Sequence, residues 1–232
     1  MTETMTKTIL SPITVTQDLI RCPSVTPLEA GVISYTKQTL SALGFTCHTM
    51  RFDEEGYESV DNLFAVIGQG GPTLCFAGHT DVVPAGDEKA WSVPPFSATI
   101  TQDGRLIGRG AVDMKGAIGA FIAATSRYLA TYGVPKLGRI AFLITNDEEA
   151  EAVNGTIKVL GWMQKQGEKI DACIVGEPTN PSEMGEMIKI GRRGTLTGYL
   201  TIFGKQGHVA YPHNADNPIT KLLRVLSALK DL

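Results

Sequence analysis

Four apolar runs in this chain stop at acids or at an imidazole, and this placement constrains the fold more than any other feature. The first, Leu74-Cys75-Phe76-Ala77-Gly78, leads to His79, with Asp81 two residues on. Residues i and i+2 of an extended strand point the same way, so one ring nitrogen of His79 can face a metal while the Asp81 carboxylate holds the other. A histidine at the edge of a core, bonded to a neighbouring aspartate, is an equal reading of this stretch alone. The second run ends in the glycine-rich turn 108–116, where Asp113 reads either as a helix N-cap or as a carboxylate bridging two cations. The third, 140–145, empties into Asp147-Glu148-Glu149-Ala150-Glu151, and the fourth, 172–175, delivers Glu177 ahead of Pro178. An acidic cluster is ordinarily a solvated turn, but directly after an apolar strand it lies where α/β sheets bind ligands. Glu148 and Glu149 project differently, so one can ligate a cation while the other reaches water.

The intervening segments supply the helices that such strands need. The pattern predicts a helix over 12–21 capped by Thr14 or Thr16, and another over 29–43 closed by Gly44. Strands are expected at 45–51 and 62–67, a hairpin over 98–107 turning at 102–105, and helices over 117–131 and 155–166. The glycine cluster 68–71 falls between two strands rather than between a strand and a helix, which excludes a dinucleotide fingerprint. Trp91, in the polar loop 84–95, reads either as part of a substrate mouth or as a plug sealing that loop to the core. From 191 the chain changes character. Residues 195–203 alternate as a strand should, and 217–230 form an amphipathic helix with Pro218 at its first position and a stripe of Ile219, Leu222, Leu226 and Leu229.

Composition narrows the function classes. With 232 residues the chain can bury a full core, and 43% hydrophobic residues, 19% charged residues and a net charge of −3 describe an ordinary soluble protein. No basic tract favours nucleic acid, and no apolar run has the length of a membrane span. Cys22, Cys47, Cys75 and Cys173 are widely separated, and the last two sit in runs read as buried strands. Reduced, packed thiols in a cytoplasmic protein are the expectation, not a disulfide framework. Oxygen and nitrogen donors without thiolates suit zinc, with cobalt or manganese as substitutes.

The blocks GHTDVVP, GRGAVDMKG, TNDEEAEAVNGT and VGEPT together resemble the superfamily of di-zinc aminoacylases and exopeptidases, and IKIGRRG with GKQGHVAYPHNADNP points within it to the desuccinylase branch. Acetylornithine deacetylases are the sister branch. The resemblance implies an α/β fold with a mixed-sheet catalytic domain over 1–190 and the beginning of a smaller α+β lid or dimerisation domain over 191–232. It implies two zinc ions, with His79 and Glu177 on one, Glu149 on the other, and Asp113 bridging them through a turn whose Asp113–Met114 peptide is cis. Asp81 would orient His79, Glu148 would act as general acid and base, and Arg192 would grip a substrate carboxylate. His208 would cross a homodimer to the partner's site. The activity implied is hydrolysis of the succinyl amide of N-succinyl-LL-diaminopimelate. Family members also supply a final zinc-binding histidine from beyond the segment matched here, and His48, His208 and His213 do not replace it. The expectation is therefore an incomplete catalyst with doubtful occupancy at its second zinc, a weak desuccinylase or a binding module. No glycine-rich strand-to-helix turn supports the rival reading of a nicotinamide-dependent dehydrogenase.

Overall fold

One mixed five-stranded sheet organises the first part of the chain, with strand order β1-β2-β6-β3-β7. The structure, a computed structural model, describes residues 9–191, 194 and 197–230. Its strands are β1 (Thr46–Glu54), β2 (Tyr57–Gln69), β3 (Thr73–His79), β4 (Thr99–Ile100), β5 (Leu106–Ile107), β6 (Gly138–Thr145) and β7 (Ala172–Val175). The helices are α1 (Pro12–Arg21), α2 (Val32–Ala42), α3 (Gly116–Tyr132), α4 (Thr156–Gln166) and α5 (Pro218–Lys230). β1, β2 and β6 run antiparallel to their neighbours, whereas β6, β3 and β7 are parallel, with Cys75 opposite Ala141 on one side and Cys173 on the other. β4 and β5 form the expected small hairpin, outside the main sheet.

Alternation along the strands sends side chains to two cores. Leu63, Ala65, Ile67, Phe76, Phe142 and Ile144 meet Val15, Leu19, Val32, Ile33, Leu40, Ile118 and Ile122 of α1, α2 and α3 on one face. Phe64, Cys75, Ala141 and Leu143 meet Val159 and Met163 of α4 on the other. Phe142 lies edge-on to Phe45 and to Phe121, with ring centroids 5.5 and 5.3 Å apart, and Phe121 stacks on Phe76 at 4.7 Å. Such aromatic pairs add roughly 0.5–1.5 kcal/mol each beyond the area they bury. They pin β3, β6 and α3 to one another, and these three elements begin or end at the acids singled out above.

The termini of the elements follow local chemistry. The cap of α1 is Ser11, whose hydroxyl accepts from the Thr14 amide at 3.4 Å, rather than Thr14 or Thr16, because Pro12 occupies the first helical position. α2 starts at Val32, later than the pattern predicts, because the Glu29 carboxylate accepts from the amides of Gly31, Ile33 and Ser34 and so ends the preceding turn. β7 is the one strand whose burial departs from expectation. All four of its residues are exposed, Cys173 included, because among the described residues only β3 pairs with it and it forms the sheet edge.

Packing divides the chain into two units, Met1–Glu183 and Met184–Leu232, a boundary slightly ahead of the expected 190/191. In the second, the backbones of Lys205 and Asp216 exchange two hydrogen bonds of 2.9 Å, and Lys221 reaches back to the Asp216 carboxylate and to the Phe203 carbonyl. α5 begins as expected, with Asn217 accepting from the Ile219 amide. The strand expected over 195–203 does not form across its described residues, 197–203. Alternation supplies a face, but a strand also needs a ladder, and among the described residues of this unit no other strand offers one. On the α5 stripe Leu222 is half-buried, while Ile219, Leu226 and Leu229 stay exposed.

Candidate metal centre

The ends of β3, β6 and β7 and the turn before α3 converge on His79. Gly78 lets this happen: a Cβ there would lie 2.6 Å from the Met114 Cε. Met114, fully buried, therefore packs under the strand end, its sulfur 3.3 Å from the His79 amide, and carries its neighbour Asp113 to the imidazole. The turn is entered through Gly110 at φ +81, the Asp113–Met114 peptide is cis, and Lys115 N–H closes onto the Gly110 carbonyl at 2.9 Å.

His79 is 1% exposed and its two nitrogens have separate tasks. Nδ1 faces the Asp81 carbonyl at 2.9 Å, an acceptor only, so Nδ1 carries the proton and the Nε2 lone pair points outward. Nε2 meets Asp113 Oδ1 at 3.0 Å, Glu177 Oε1 at 3.5 Å and Glu148 Oε2 at 3.8 Å. Glu149 completes a second group with His79 and Asp113, beside the group His79, Glu148 and Glu177, the donor atoms within each lying inside 4.8 Å of one another.

The Asp81 carboxylate, beside the imidazole, also acts on the backbone of the facing loop. Its Oδ1 stays 3.6 Å from Nδ1 and makes no hydrogen bond, while Oδ2 accepts from the amides of Glu148 at 3.0 Å and Glu149 at 2.9 Å. Two N–H donors outcompete a ring nitrogen already satisfied by the carbonyl two residues along. Asp81 thereby fixes the backbone of the two glutamates whose side chains face His79. Next to it, Thr80 Oγ1 bonds the Thr145 carbonyl and Asn146 Oδ1, tying the end of β3 to the end of β6.

Crowding of acids shows in their protonation. Burial raises the Asp81 pKa against the amides of Glu149 and Glu148 and the His79 ring, which pull it down. Burial also raises Glu149 and Glu177; His79 lowers both, and Asp113 and Glu148 push both up. Burial of His79 works against its positive charge, but Asp81 first, then Glu177 and Glu148, outweigh it and raise its pKa. Carboxylates held together at such a cost, around an imidazole whose free lone pair faces them, are a donor set that a divalent cation fits.

Every expected member from the first unit is therefore in one place: His79, Asp81, Asp113, Glu148, Glu149 and Glu177. Arg192 lies outside the described residues. His208 belongs to the second unit, where its Nδ1 accepts from the Ala210 amide at 3.1 Å and its ring lies beside Tyr211. Trp91 donates through its indole to the Ala85 carbonyl and lies under the Arg109 guanidinium, 5.2 Å from the ring centre, which fastens the loop 84–95.

Residues outside the expected set also shape this region. Lys115 is fully buried; its ammonium donates to the Cys22 carbonyl and the Ser24 hydroxyl, both at 2.8 Å, and Ser24 donates to the Thr80 carbonyl at 2.6 Å. Burial lowers the Lys115 pKa to about 8. Asp147, within the acidic run, is internal: its carboxylate accepts from the amides of Ala152 and Asn154 and folds the loop that displays Glu148 and Glu149. The DMK block and the acid run contain both residues, but nothing in either separates an inward-facing charge from an exposed one.

Comparison with known proteins places these features. A model of peptidase family M20/M25/M40 matches residues 75–229. Succinyl-diaminopimelate desuccinylases from Rhodospirillum centenum and Methylorubrum populi are 60% and 56% identical over 218 and 219 residues, 94% of this chain in each case. The chain spans 56% of the length of each, about half of the curated relatives it matches. Among solved structures, human carnosine dipeptidase 1 superimposes with a TM-score of 0.60 at 24% identity, over 71% of this chain and 38% of that one. A tripeptidase from Staphylococcus aureus gives 0.61 at 16% identity, over 95% and 57%. The mixed sheet is thus the fold of these peptidases, and with the family model covering more than half of its residues the chain belongs to peptidase family M20/M25/M40.

Proposed function

We propose that this chain carries the metal-holding side of a zinc-dependent amide hydrolase that releases succinate from N-succinyl-LL-diaminopimelate, giving LL-diaminopimelate in lysine and diaminopimelate biosynthesis. The observation that carries the reading is the His79 Nε2 lone pair turned toward Asp113, Glu148 and Glu177 from three separate segments. The names of the Rhodospirillum centenum and Methylorubrum populi relatives support this choice of substrate. His79 and Glu177 would hold one zinc and Glu149 the other, with Asp113 between them; cobalt or manganese suits the same donors. When bound, zinc polarises the amide carbonyl and lowers the pKa of water to near neutrality. Glu148, half-exposed and 3.8 Å from Nε2, would take a proton from the attacking water and return it to the leaving amine. Asp81 keeps Glu148 and Glu149 in place through their amides. Arg192 would clasp a substrate carboxylate, and His208 would serve the partner's site in a homodimer of the complete enzyme in the cytoplasm.

The test is direct. The 232-residue chain is loaded with zinc and offered N-succinyl-LL-diaminopimelate and N-acetylornithine separately. Zinc-dependent release of succinate well above release of acetate is expected, however slow. Preference for the acetyl substrate would move the proposal to the deacetylase branch, and zinc binding with neither acid released would leave a binding module. No described helix is long and apolar enough to cross a membrane.

A further inference from the structure

Outside the metal centre, two cysteines face each other across neighbouring strands. Cys75 on β3 and Cys173 on β7 are register partners on adjacent parallel strands, so both side chains project from the same sheet face. Paired strands lie about 4.8 Å apart, inside the roughly 4.4–6.8 Å between Cα atoms that a disulfide accepts. The Cys75 thiol donates to the Phe76 carbonyl at 3.5 Å. Cys75 is completely buried and Cys173 is exposed at the sheet edge. We infer that Cys75 and Cys173 form a peroxide-sensitive dithiol that closes to a disulfide, with Cys173 as the attacking thiol and Cys75 as the resolving one.

The asymmetry of the pair supplies the chemistry. The neighbouring Cys75 thiol is the largest influence on Cys173 and brings it to about 7, while Cys173 and burial push Cys75 up. Cys173 is thus substantially thiolate at neutral pH and open to solvent, which are the two requirements for attack on a peroxide. The Cys173 sulfur bonds one peroxide oxygen, the O–O bond breaks, and the departing hydroxide takes a proton to become water. The Cys75 sulfur then attacks the Cys173 sulfenic acid, the S–O bond breaks, and a second water leaves with the Cys75 proton. Two thiols give two electrons to hydrogen peroxide and yield one disulfide and two waters. Burial holds the Cys22 thiol up, which leaves it protonated and slow. The bridge would join the strands four residues ahead of His79 and of Glu177.

The test uses the whole 232-residue chain, reduced and then exposed to hydrogen peroxide. After unfolding in urea and alkylation, peptide mass mapping should show two of the four cysteines protected as a Cys75–Cys173 linked pair, with Cys22 and Cys47 alkylated and dithiothreitol restoring both thiols. Cys173→Ser, at an exposed position, should leave Cys75 alkylatable at the same peroxide dose. Three outcomes would each overturn the inference: Cys173 oxidised to sulfinic acid with Cys75 still free, a Cys173–Cys173 link between two copies, or all four thiols still alkylated.

Discussion

At the residue scale the decisive group is Asp81, and its placement makes a prediction that an imidazole-orienting role alone does not. Its Oδ2 receives two amides and its Oδ1 none, so Asp81→Asn exchanges a charged acceptor for a neutral one in a fully buried position. Charge-assisted hydrogen bonds are roughly twice as strong as neutral ones, and supporting residues of metal sites typically contribute 10–100-fold to affinity. Zinc affinity, measured by competition with a chromophoric chelator, should fall about 10–100-fold in Asp81→Asn. Wild-type affinity in a folded variant would remove Asp81 from the design of the site. A companion comparison separates bridging from proton transfer. Asp113→Ala should lower bound zinc more than Glu148→Ala, because Asp113 lies nearest the Nε2 lone pair. Equal zinc content by elemental analysis would cancel that assignment. The six side chains were legible from strand ends, but the division of labour inside Asp81 was not. It depends on which donors the loop after β6 brings within 3 Å, and no local pattern encodes that.

At the level of elements, the sheet and its helices follow from apolar alternation and from glycine and proline punctuation, which is why the seven strands and five helices among the described residues lie close to where periodicity puts them. The failures have one cause, namely that burial is decided by neighbours. β7 has the apolar sequence of an interior strand yet is an edge, and the alternating run 197–203 has no ladder partner among the described residues. The contact between α1 and α2 carries a prediction of its own. Tyr35 donates to the Asp18 carboxylate at 3.1 Å, and burial, then the Asp18 charge, raises its pKa to about 12 from an ordinary 10. A phenol held above its unfolded value contributes stability that is complete below pH 10 and disappears as pH rises through 12. Wild-type stability should therefore decline across this window more steeply than that of Tyr35→Phe, followed by urea unfolding. Parallel pH profiles for the two proteins would rule the linkage out.

For the whole molecule, all six candidate metal-site residues lie in the first unit, which has a measurable consequence. Between β7 and the 3₁₀ turn at Pro212–Asn214 the described chain has no helix or strand, apart from the single bridge at Lys205. Within this stretch Tyr199 is 96% and Phe203 80% exposed. Proteases cut where backbone leaves its hydrogen-bonded frame easily, and the cost of local opening is lowest in exposed segments with few buried contacts. Dilute chymotrypsin should therefore cut first within 184–204, and the sheet, with its buried strands β2, β3 and β6, should resist. The large product would retain His79, Asp113, Glu148, Glu149 and Glu177 on an undisturbed scaffold. It should bind zinc with an affinity within about threefold of the intact chain, since the candidate donor groups all belong to the first unit and interactions that share no partners are nearly additive, within about 0.5 kcal/mol. Mass spectrometry of the first products and chelator competition on the isolated fragment test both halves of the claim. A first cut inside 138–175, or a trimmed product without zinc affinity, would show that the second unit is needed to form the metal centre.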